Sequence, residues 1–317
     1  MKYKLSTRSS ARGATTGMTR SAVIGVAAAM AVIGSAAAYL SRESVAELNG
    51  AGSIDPHHIS YKNTSGRTAV DCRTLSDASN SATILVFGQS MVGNSGDPGA
   101  LYIPSGKVYN FNLFDGRCYE ARDPLLGTDA DRSNVLTRFA DLLVRRHEYE
   151  TVLLVPIAYG GSPISWWAPG GPLSARLDRA LREMRREGLR PTFAIWQQGE
   201  ADSYQPRPDA AGYEKSFRAM IDALRAGGMT APVFVAQSTV CKTPPIEPIR
   251  WAQREVVDAR AGILPGPDTD VIGLEARFDG CHFSEAGLNR AAEMWFMTIA
   301  AWRAAKHQPQ LGTAYLQ

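Results

Sequence analysis

Cysteine is scarce in this chain: only four of its 317 residues are cysteines, and none of them is spaced as C-x-x-C. Zinc-binding modules and thioredoxin-like redox sites usually place their cysteines in that spacing. The sequence therefore lacks the usual signature of either kind of site, and we expect no metal centre.

The four cysteines are even in number, which suggests two disulfides in an exported chain. Cys72, Cys118, Cys241 and Cys281 allow three connectivities. We favour Cys72 with Cys118 and Cys241 with Cys281, because each pair would tie loops near the same end of the fold. Four buried thiols are the alternative.

Excess positive charge is lacking outside the first twenty residues. The formal net charge is +3, yet that leader alone holds Lys2, Lys4, Arg8, Arg12 and Arg20 and no acidic residue. The remainder of the chain is therefore slightly acidic. This balance argues against a nucleic-acid-binding surface.

Only one long apolar run is present, at residues 21–40, where no residue is charged. Its length suffices for a membrane-spanning helix. The basic leader (residues 1–20) and the small residues Ala36-Ala37-Ala38 also resemble a secretory signal. A cleaved signal peptide and an uncleaved membrane anchor stay open. In both cases the positive-inside rule predicts an exported protein that is periplasmic or otherwise extracytoplasmic.

Three further regions follow the apolar run. Residues 41–82 are polar and rich in Ser, Asn, Gly and Asp, which is typical of a linker. We predict that residues 83–305 form a single catalytic domain and that residues 306–317 form a tail. No repeat of solenoid length is visible.

Within the predicted domain, short apolar runs alternate with helical patterns. The runs are at 83–88, 151–158, 192–198 and 232–238, and the helical patterns at 134–148, 173–187, 211–225, 249–261 and 285–304. Near-continuous apolar runs of this length suit strands that are buried on both faces. The alternation predicts an α/β fold with a doubly wound parallel sheet. Ligands of such sheets bind at the carboxyl ends of the strands.

The first predicted strand runs directly into Gly88-Gln89-Ser90-Met91. A serine just past a buried strand can project its Oγ from the rim of the sheet while backbone N–H groups face the same space. Taken alone, a Gly-x-Ser at a strand end is more often a turn. Ser90 is therefore a candidate nucleophile that needs a partner.

Asp279 and His282 supply a candidate partner near the other terminus. A spacing of three residues lets one short loop deliver both a base and the carboxylate that orients it. The alternative is an Asp-Gly turn followed by a helix that Ser284 caps. Of the remaining histidines, two lie in the predicted linker, one in a charged helix and one in the tail.

Two further strand ends carry polar or glycine-rich blocks. Gly160 and Gly161 follow the second run, where glycine permits close approach of the backbone to a substrate. The third run delivers the block WQQGEAD, whose side-chain amides could stabilise a carbonyl oxygen as it becomes negative. Four strand ends together thus provide the parts of an acyl-transfer site.

The blocks GQSM, GGSPISWW, WQQGEAD and DGCHFSEAG resemble the SGNH hydrolase superfamily, specifically its sialate O-acetylesterase-like branch of carbohydrate esterases. The resemblance covers roughly residues 84–302. It implies a flavodoxin-like three-layer α/β/α sandwich with a parallel sheet of about five strands. It also implies Ser90 as nucleophile, His282 as base and Asp279 as its partner. The implied oxyanion hole consists of the Ser90 N–H, the Gly161 N–H and the Gln198 amide.

Residues beside these groups are candidates for contacts with the substrate, namely Gln89, Met91, Gly160, Trp167 and Glu200. Met91 departs from the branch, whose members often have Asn there. Trp166 and Trp167 could stack on a sugar or fill the core beneath the loop. Glu200 and Asp202 could be mistaken for the carboxylate pair of a glycosidase. Beside a serine and a histidine with the right roles, we interpret them as groups that fix their loop, with Glu200 hydrogen-bonded internally.

We therefore expect a serine esterase that removes O-acetyl groups from a carbohydrate through an acyl-enzyme, without a metal or an organic cofactor. An envelope polysaccharide O-acetyltransferase with the same triad is one alternative. A non-catalytic glycan-binding envelope protein is another, although a pure binder would not need a triad.

Overall fold

The structure is a computed structural model that describes residues 60–76 and 78–307, all within the unit Asp55–Gln317. Its strands are β1 (Ala69–Val70), β2 (Ser81–Gly88), β3 (Val108–Asn112), β4 (Arg117–Glu120), β5 (Thr151–Pro156), β6 (Phe193–Gln197), β7 (Val233–Gln237) and β8 (Ile263–Asp268). They form one sheet in the order β1-β4-β3-β5-β2-β6-β7-β8. From β3 to β8 in that order the strands are parallel, whereas β4 and β1 continue one edge in antiparallel pairing.

The helices alternate with the strands along the chain. They are α1 (Cys72–Ser76), α2 (Val135–Arg145), α3 (Ile164–Trp167), α4 (Ser174–Arg186), α5 (Glu200–Ser203), α6 (Ala210–Ala226), α7 (Glu247–Glu255) and α8 (Glu285–His307). Short 3-10 helices occur at Ser90–Val92, Ala259–Ala261, Thr269–Val271 and Leu274–Ala276. This arrangement confirms the predicted α/β fold class.

Helices α2 and α8 pack against each other and cover one face of the sheet. Ile84 and Val86 of β2 are fully buried in this core, together with Phe139 of α2 and Trp295 of α8. The rings of Phe139 and Trp295 lie 6.3 Å apart. Alternate residues of β2 thus pack against the layer formed by α2 and α8, which is one of the three layers of the sandwich.

The intervening residues of β2 point to the opposite face, because side chains alternate along a strand. Phe87 packs there against Trp196 of β6 and Trp167 of α3, with ring centroids 5.2 and 6.4 Å apart. Trp196 in turn lies 6.1 Å from Phe217 of α6. Burial on both faces explains the continuous apolar runs of the central strands.

The sheet has eight strands instead of the predicted five or so. The strands β3 (VYNFN) and β4 (RCYE) contain polar and charged residues and so lack the apolar run on which the prediction depended. Strand β8 reads ILPGPD and pairs only with β7. Proline is tolerated on such an edge strand, because its missing N–H is needed less there than in a central strand.

Part of the predicted linker belongs to the folded unit. The N–H of Tyr61 donates to the carbonyl of Thr128 at 2.7 Å, and β1 pairs with β4. Cys72 of α1 is disulfide-bonded to Cys118 of β4. The fold therefore begins before the predicted start at residue 83, since residues 60–76 add an edge strand and a cross-link.

The predicted leader, the apolar segment 21–40, the first part of the linker and residues 308–317 of the tail lie outside the described residues. Across residues 60–76 and 78–307, no helix has both the length and the apolar character needed to cross a bilayer. The second disulfide joins Cys241 to Cys281, which is the other favoured pair. Two disulfides indicate an extracytoplasmic protein.

Candidate active site

The turn that carries Ser90 is built on a glycine that no other residue could replace without strain. Gly88 ends β2 with φ of +136°, and a Cβ placed on it would stand 2.1 Å from the carbonyl oxygen of Gln197. The chain then enters the 3-10 helix Ser90–Val92 at once. Ser90 consequently sits at the carboxyl end of a central parallel strand, where it is 7% exposed.

Gln89 binds the serine turn to the block that follows β6. Its N–H donates to the carbonyl of Gln197 at 3.0 Å, and its Oε1 accepts from the N–H groups of Ala201 and Gly199 at 3.1 and 3.4 Å. The side chain is 3% exposed. Gln89 was a candidate for contact with the substrate, but its buried side chain instead connects the Ser90 turn to the block after β6.

His282 and Asp279 form a hydrogen-bonded pair. The Nδ1 of His282 lies 2.7 Å from Oδ2 of Asp279, while the other carboxylate oxygen accepts the N–H groups of His282 and Cys281 at 2.7 and 2.8 Å. Partial burial opposes ionisation of Asp279, but the bonds from the His282 ring and the two N–H groups outweigh it and lower the pKa of the carboxyl. An ionised Asp279 fixes the orientation of the imidazole, as an acyl-transfer base requires.

The loop that carries this pair is anchored at Cys281, directly before His282. Cys281 is disulfide-bonded to Cys241 in the loop after β7. The buried guanidinium of Arg277 donates to the carbonyl of Cys281 at 2.6 Å, and its Nη1 lies 3.6 Å from Sδ of Met91. Arg277 thus links the loop of His282 to the turn of Ser90.

Ser90 and His282 line the same small cleft. The other residues of the cleft are Met91, Gly93, Ser95, Gly96, Phe283 and Leu288. Among the described residues no hydrogen bond joins Ser90 Oγ to the imidazole. A much larger cavity of about 710 Å³ lies beside Asn80, Val108 and Glu150, near the amino-terminal ends of β2, β3 and β5. The candidate site is thus a shallow cleft at the carboxyl end of the sheet.

Two backbone N–H groups at this rim are free to donate. Gly161 has φ of +65°, is exposed, and has no atom within 4 Å of the position that a Cβ would take. Within residues 60–76 and 78–307, neither its N–H nor that of Ser90 donates a hydrogen bond. Both are predicted members of the oxyanion hole. A Cβ on the neighbouring Gly160 would stand 3.6 Å from Cβ of Ser90, so this loop runs past the serine.

The amide of Gln198 is turned into the protein. Its Nε2 donates to the carbonyl of Ser162 at 3.1 Å and to Oδ2 of Asp202, and the side chain is fully buried. Both of its N–H donors therefore have partners, and Gln198 would have to leave them to contact an oxyanion. Asp202 also accepts the N–H of Ile164 at 3.0 Å and so connects its own helix to the start of α3.

Two further candidates for substrate contact are buried away from the cleft. Trp167 is 1% exposed and donates from Nε1 to Ser162 Oγ at 2.8 Å, so it fills the core and cannot stack on a sugar. Glu200 is 1% exposed and accepts a hydrogen bond from Ser238 Oγ. Burial raises the pKa of Glu200 to about 7, although the bond from Ser238 acts against that shift. Trp166 is only partly buried, with its ring 6.0 Å from that of Tyr159.

Two other residues beside the cleft belong to no motif of the sequence. Asp129 is buried and accepts the N–H of Gly160 with Oδ2. Phe278 is 38% exposed, and its ring centroid lies 6.3 Å from that of His282. Asp129 is 31 positions from Gly160 in the chain, and no local spacing connects it to the motifs.

The donor set does not suggest a metal centre. In the described part of the chain, histidine, cysteine and acidic residues nowhere gather in a group of three or more that could hold a metal ion. The four cysteines are all in disulfides. The chemistry available at the cleft is that of a hydroxyl, an imidazole, a carboxylate and backbone N–H donors.

Comparison with solved structures supports the fold assignment. A protein from Arabidopsis thaliana has a TM-score of 0.58 and 20% sequence identity, over 71% of this chain and 98% of that one. The structure named NanS has a TM-score of 0.50 and 16% identity, over 71% of this chain and 98% of that one. No curated protein matches the chain. At these identities the likenesses establish a shared α/β fold alone.

The family itself is shown by a sequence model. The model described as carbohydrate esterase, sialic acid-specific acetylesterase matches residues 83–300. That match spans well over half of the chain and contains every sequence block that contributes a residue to the candidate site. The chain therefore belongs to the sialic acid-specific acetylesterase family of carbohydrate esterases, and it is a carboxylic ester hydrolase.

Proposed function

We propose that the protein removes O-acetyl groups from a carbohydrate by covalent catalysis, with Ser90 as nucleophile, His282 as general base and Asp279 as the group that orients His282. The observation that carries the proposal is the hydrogen-bonded Asp279–His282 pair on the same cleft as Ser90. Family membership supports an acetylated carbohydrate as substrate.

In the first step Ser90 Oγ attacks the acetyl carbonyl while Nε2 of His282 takes the hydroxyl proton. The carbonyl oxygen becomes negative, and the free N–H groups of Ser90 and Gly161 are the donors best available to it. The imidazolium then gives its proton to the departing sugar oxygen, which leaves an acetylated Ser90. A small movement of the His282 loop toward Ser90 completes the proton path.

In the second step water attacks the acetyl-serine ester. His282 takes a proton from the water, and the second tetrahedral intermediate collapses to acetate and free Ser90, whose oxygen recovers the proton from His282. Asp279 stays ionised throughout and stabilises the imidazolium, in keeping with its lowered pKa. Every step uses groups of this chain, the substrate and water.

The cleft at Ser90 is shallow, and apart from His282 its lining side chains are small or apolar, among them Met91 and Phe283. A lining of this kind favours a short acyl group such as acetyl over a long acyl chain. The sugar would remain outside, near Trp166 and Phe278.

We also propose that residues 21–40 direct export to the periplasm or anchor the chain in the membrane.

Acetate release from a panel of O-acetylated sugars and glycans tests the proposal. Replacement of Ser90 by Ala should lower turnover by roughly a millionfold, because the variant lacks the hydroxyl that forms the acyl-enzyme. His282→Ala should cause a loss of similar size. Wild-type turnover by a folded Ser90→Ala variant would refute the assigned nucleophile.

The same assay separates hydrolysis from transfer. An O-acetyltransferase would pass acetyl from a donor to a glycan hydroxyl through the same acyl-serine. Transfer product in excess of free acetate, measured with an acetyl donor and an acceptor glycan, would favour the transferase. Acetate as the main product is the expected result.

A further inference from the structure

The peptide unit between Tyr159 and Gly160 is held on both sides. Its carbonyl accepts a hydrogen bond from Ser162 Oγ at 2.7 Å, and its N–H donates to Oδ2 of Asp129. The serine hydroxyl comes from the same loop, whereas Asp129 comes from a separate loop between β4 and α2. Asp129 is therefore a side-chain anchor that a distant segment of the fold provides to this peptide unit.

The carboxylate of Asp129 lies behind the candidate nucleophile. A Cβ on Gly160 would stand 2.7 Å from Oδ2 of Asp129, and a Cβ on Gly93 would stand 2.8 Å from Oδ1. Gly93 and Gly160 both flank Ser90: the N–H of Gly93 donates to the Ser90 carbonyl at 3.0 Å. The carboxylate thus occupies the space between two glycine backbones that border the serine turn.

A contribution to folding stability does not by itself explain why the carboxylate of Asp129 is buried here. Burial raises the pKa of Asp129, while the N–H of Gly160 and the positive charge of the buried Arg176 act in the opposite direction. Its Oδ1 has no hydrogen-bond partner among the described residues. A buried carboxylate with one unsatisfied oxygen costs free energy of folding.

We propose that Asp129 is a positioning residue of the esterase site, which holds the N–H of Gly160 so that the next N–H, that of Gly161, stays directed at the carbonyl of the substrate. This inference rests on the proposed function. Two consecutive glycines have wide conformational freedom. Without an anchor the turn would sample other orientations, and the donor would lose the preorganisation on which oxyanion stabilisation depends.

Steady-state kinetics on p-nitrophenyl acetate and on an acetylated sugar test the proposal with three variants. Asp129→Ala removes the acceptor, Asp129→Asn retains a carbonyl oxygen that can accept the Gly160 N–H, and Asp131→Ala removes an exposed carboxylate from the same loop as a matched control. Thermal melts of each variant establish that it is folded.

For Asp129→Ala we expect kcat and kcat/KM to fall together by about tenfold to a hundredfold with KM nearly unchanged, because only transition-state stabilisation is lost. Asp129→Asn should retain most of the wild-type kcat, and Asp131→Ala all of it. A folded Asp129→Ala variant with wild-type kcat would overturn the proposal. Equal losses in Ala and Asn would also overturn it, because the negative charge and not the hydrogen bond would then matter.

Ser90→Ala, assayed alongside, distinguishes a failure of the role proposed for Asp129 from a failure of the proposed esterase mechanism. If Ser90→Ala is inactive and Asp129→Ala is normal, only the role of Asp129 fails. If Ser90→Ala keeps wild-type activity, the proposed esterase mechanism fails, whatever Asp129 does.

Discussion

Glu200 shows how a single residue of a recognisable block serves the fold instead of the substrate. Its carboxyl is buried, accepts a hydrogen bond from Ser238 Oγ, and leaves Oε2 without a partner among the described residues. Burial raises the pKa of Glu200 to about 7 against the bond from Ser238. Burial therefore favours the protonated form of the Glu200 carboxyl.

The pH dependence of stability follows from that shift. A carboxyl with a raised pKa in the folded state contributes stability that is fully present below its unfolded pKa of about 4.5 and is lost as the pH rises through about 7. Glu200→Gln cannot ionise, so the wild type should lose about 2 kcal/mol relative to the variant between pH 5 and pH 8. Denaturant unfolding of both proteins at the two pH values measures the difference. A difference that does not change with pH would contradict the shift.

Residue identity alone did not reveal which polar groups face the cleft. Gln198 and Trp167 stand in the right blocks, but the amide of Gln198 bonds to Ser162 and Asp202, and the indole of Trp167 fills the core. A buried polar group must find partners inside the protein, and one partner of Gln198, the carbonyl of Ser162, comes from a segment 36 positions away. The orientation of such side chains is therefore a property of the tertiary structure.

At the scale of elements, the central strands follow from the sequence. The four predicted runs correspond to β2, β5, β6 and β7 to within about two residues at each end, since burial on both faces demands continuous apolar residues. The outer strands β3, β4 and β8 were missed, because the asparagines of β3, the charged residues of β4 and the prolines of β8 interrupt any apolar run. Strand β8 lies at the edge of the sheet, where proline is tolerated. Helix α7 ends at Glu255 and not at the predicted residue 261, since a turn and the 3-10 helix Ala259–Ala261 replace its last part.

The loop that presents His282 depends on one cross-link. Cys241–Cys281 joins it to the loop after β7, directly beside His282. Replacement of both cysteines by Ser should lower kcat by about tenfold or more, because a looser loop holds the imidazole less often over Ser90. Activity measured alongside a thermal melt tests this expectation. A folded variant with unchanged kcat would show that hydrogen bonds, such as that from Arg277 to the Cys281 carbonyl, suffice.

At the scale of the whole molecule, the other disulfide offers a matched comparison. Cys72–Cys118 closes 46 residues and Cys241–Cys281 closes 40, so chain entropy predicts a similar stabilisation of about 4 kcal/mol for each. Cys72 and Cys118 lie at the β1–β4 edge of the sheet, away from the cleft. Replacement of this pair by Ser should lower the melting temperature and leave kcat and KM unchanged. A large fall in kcat for the folded variant would show that this edge is coupled to the site.

The sequence by itself determined the fold class, the central strands and the segments that carry the chemistry. These follow from local rules: apolar runs of strand length, glycine at a turn, and an acid three residues before a histidine. Only the tertiary structure decided which N–H groups stay free at the rim, which amide turns inward, and that Asp129 stands behind Ser90. Those features depend on contacts between segments distant in the chain, because most buried polar atoms find their partners only when folding brings other segments beside them.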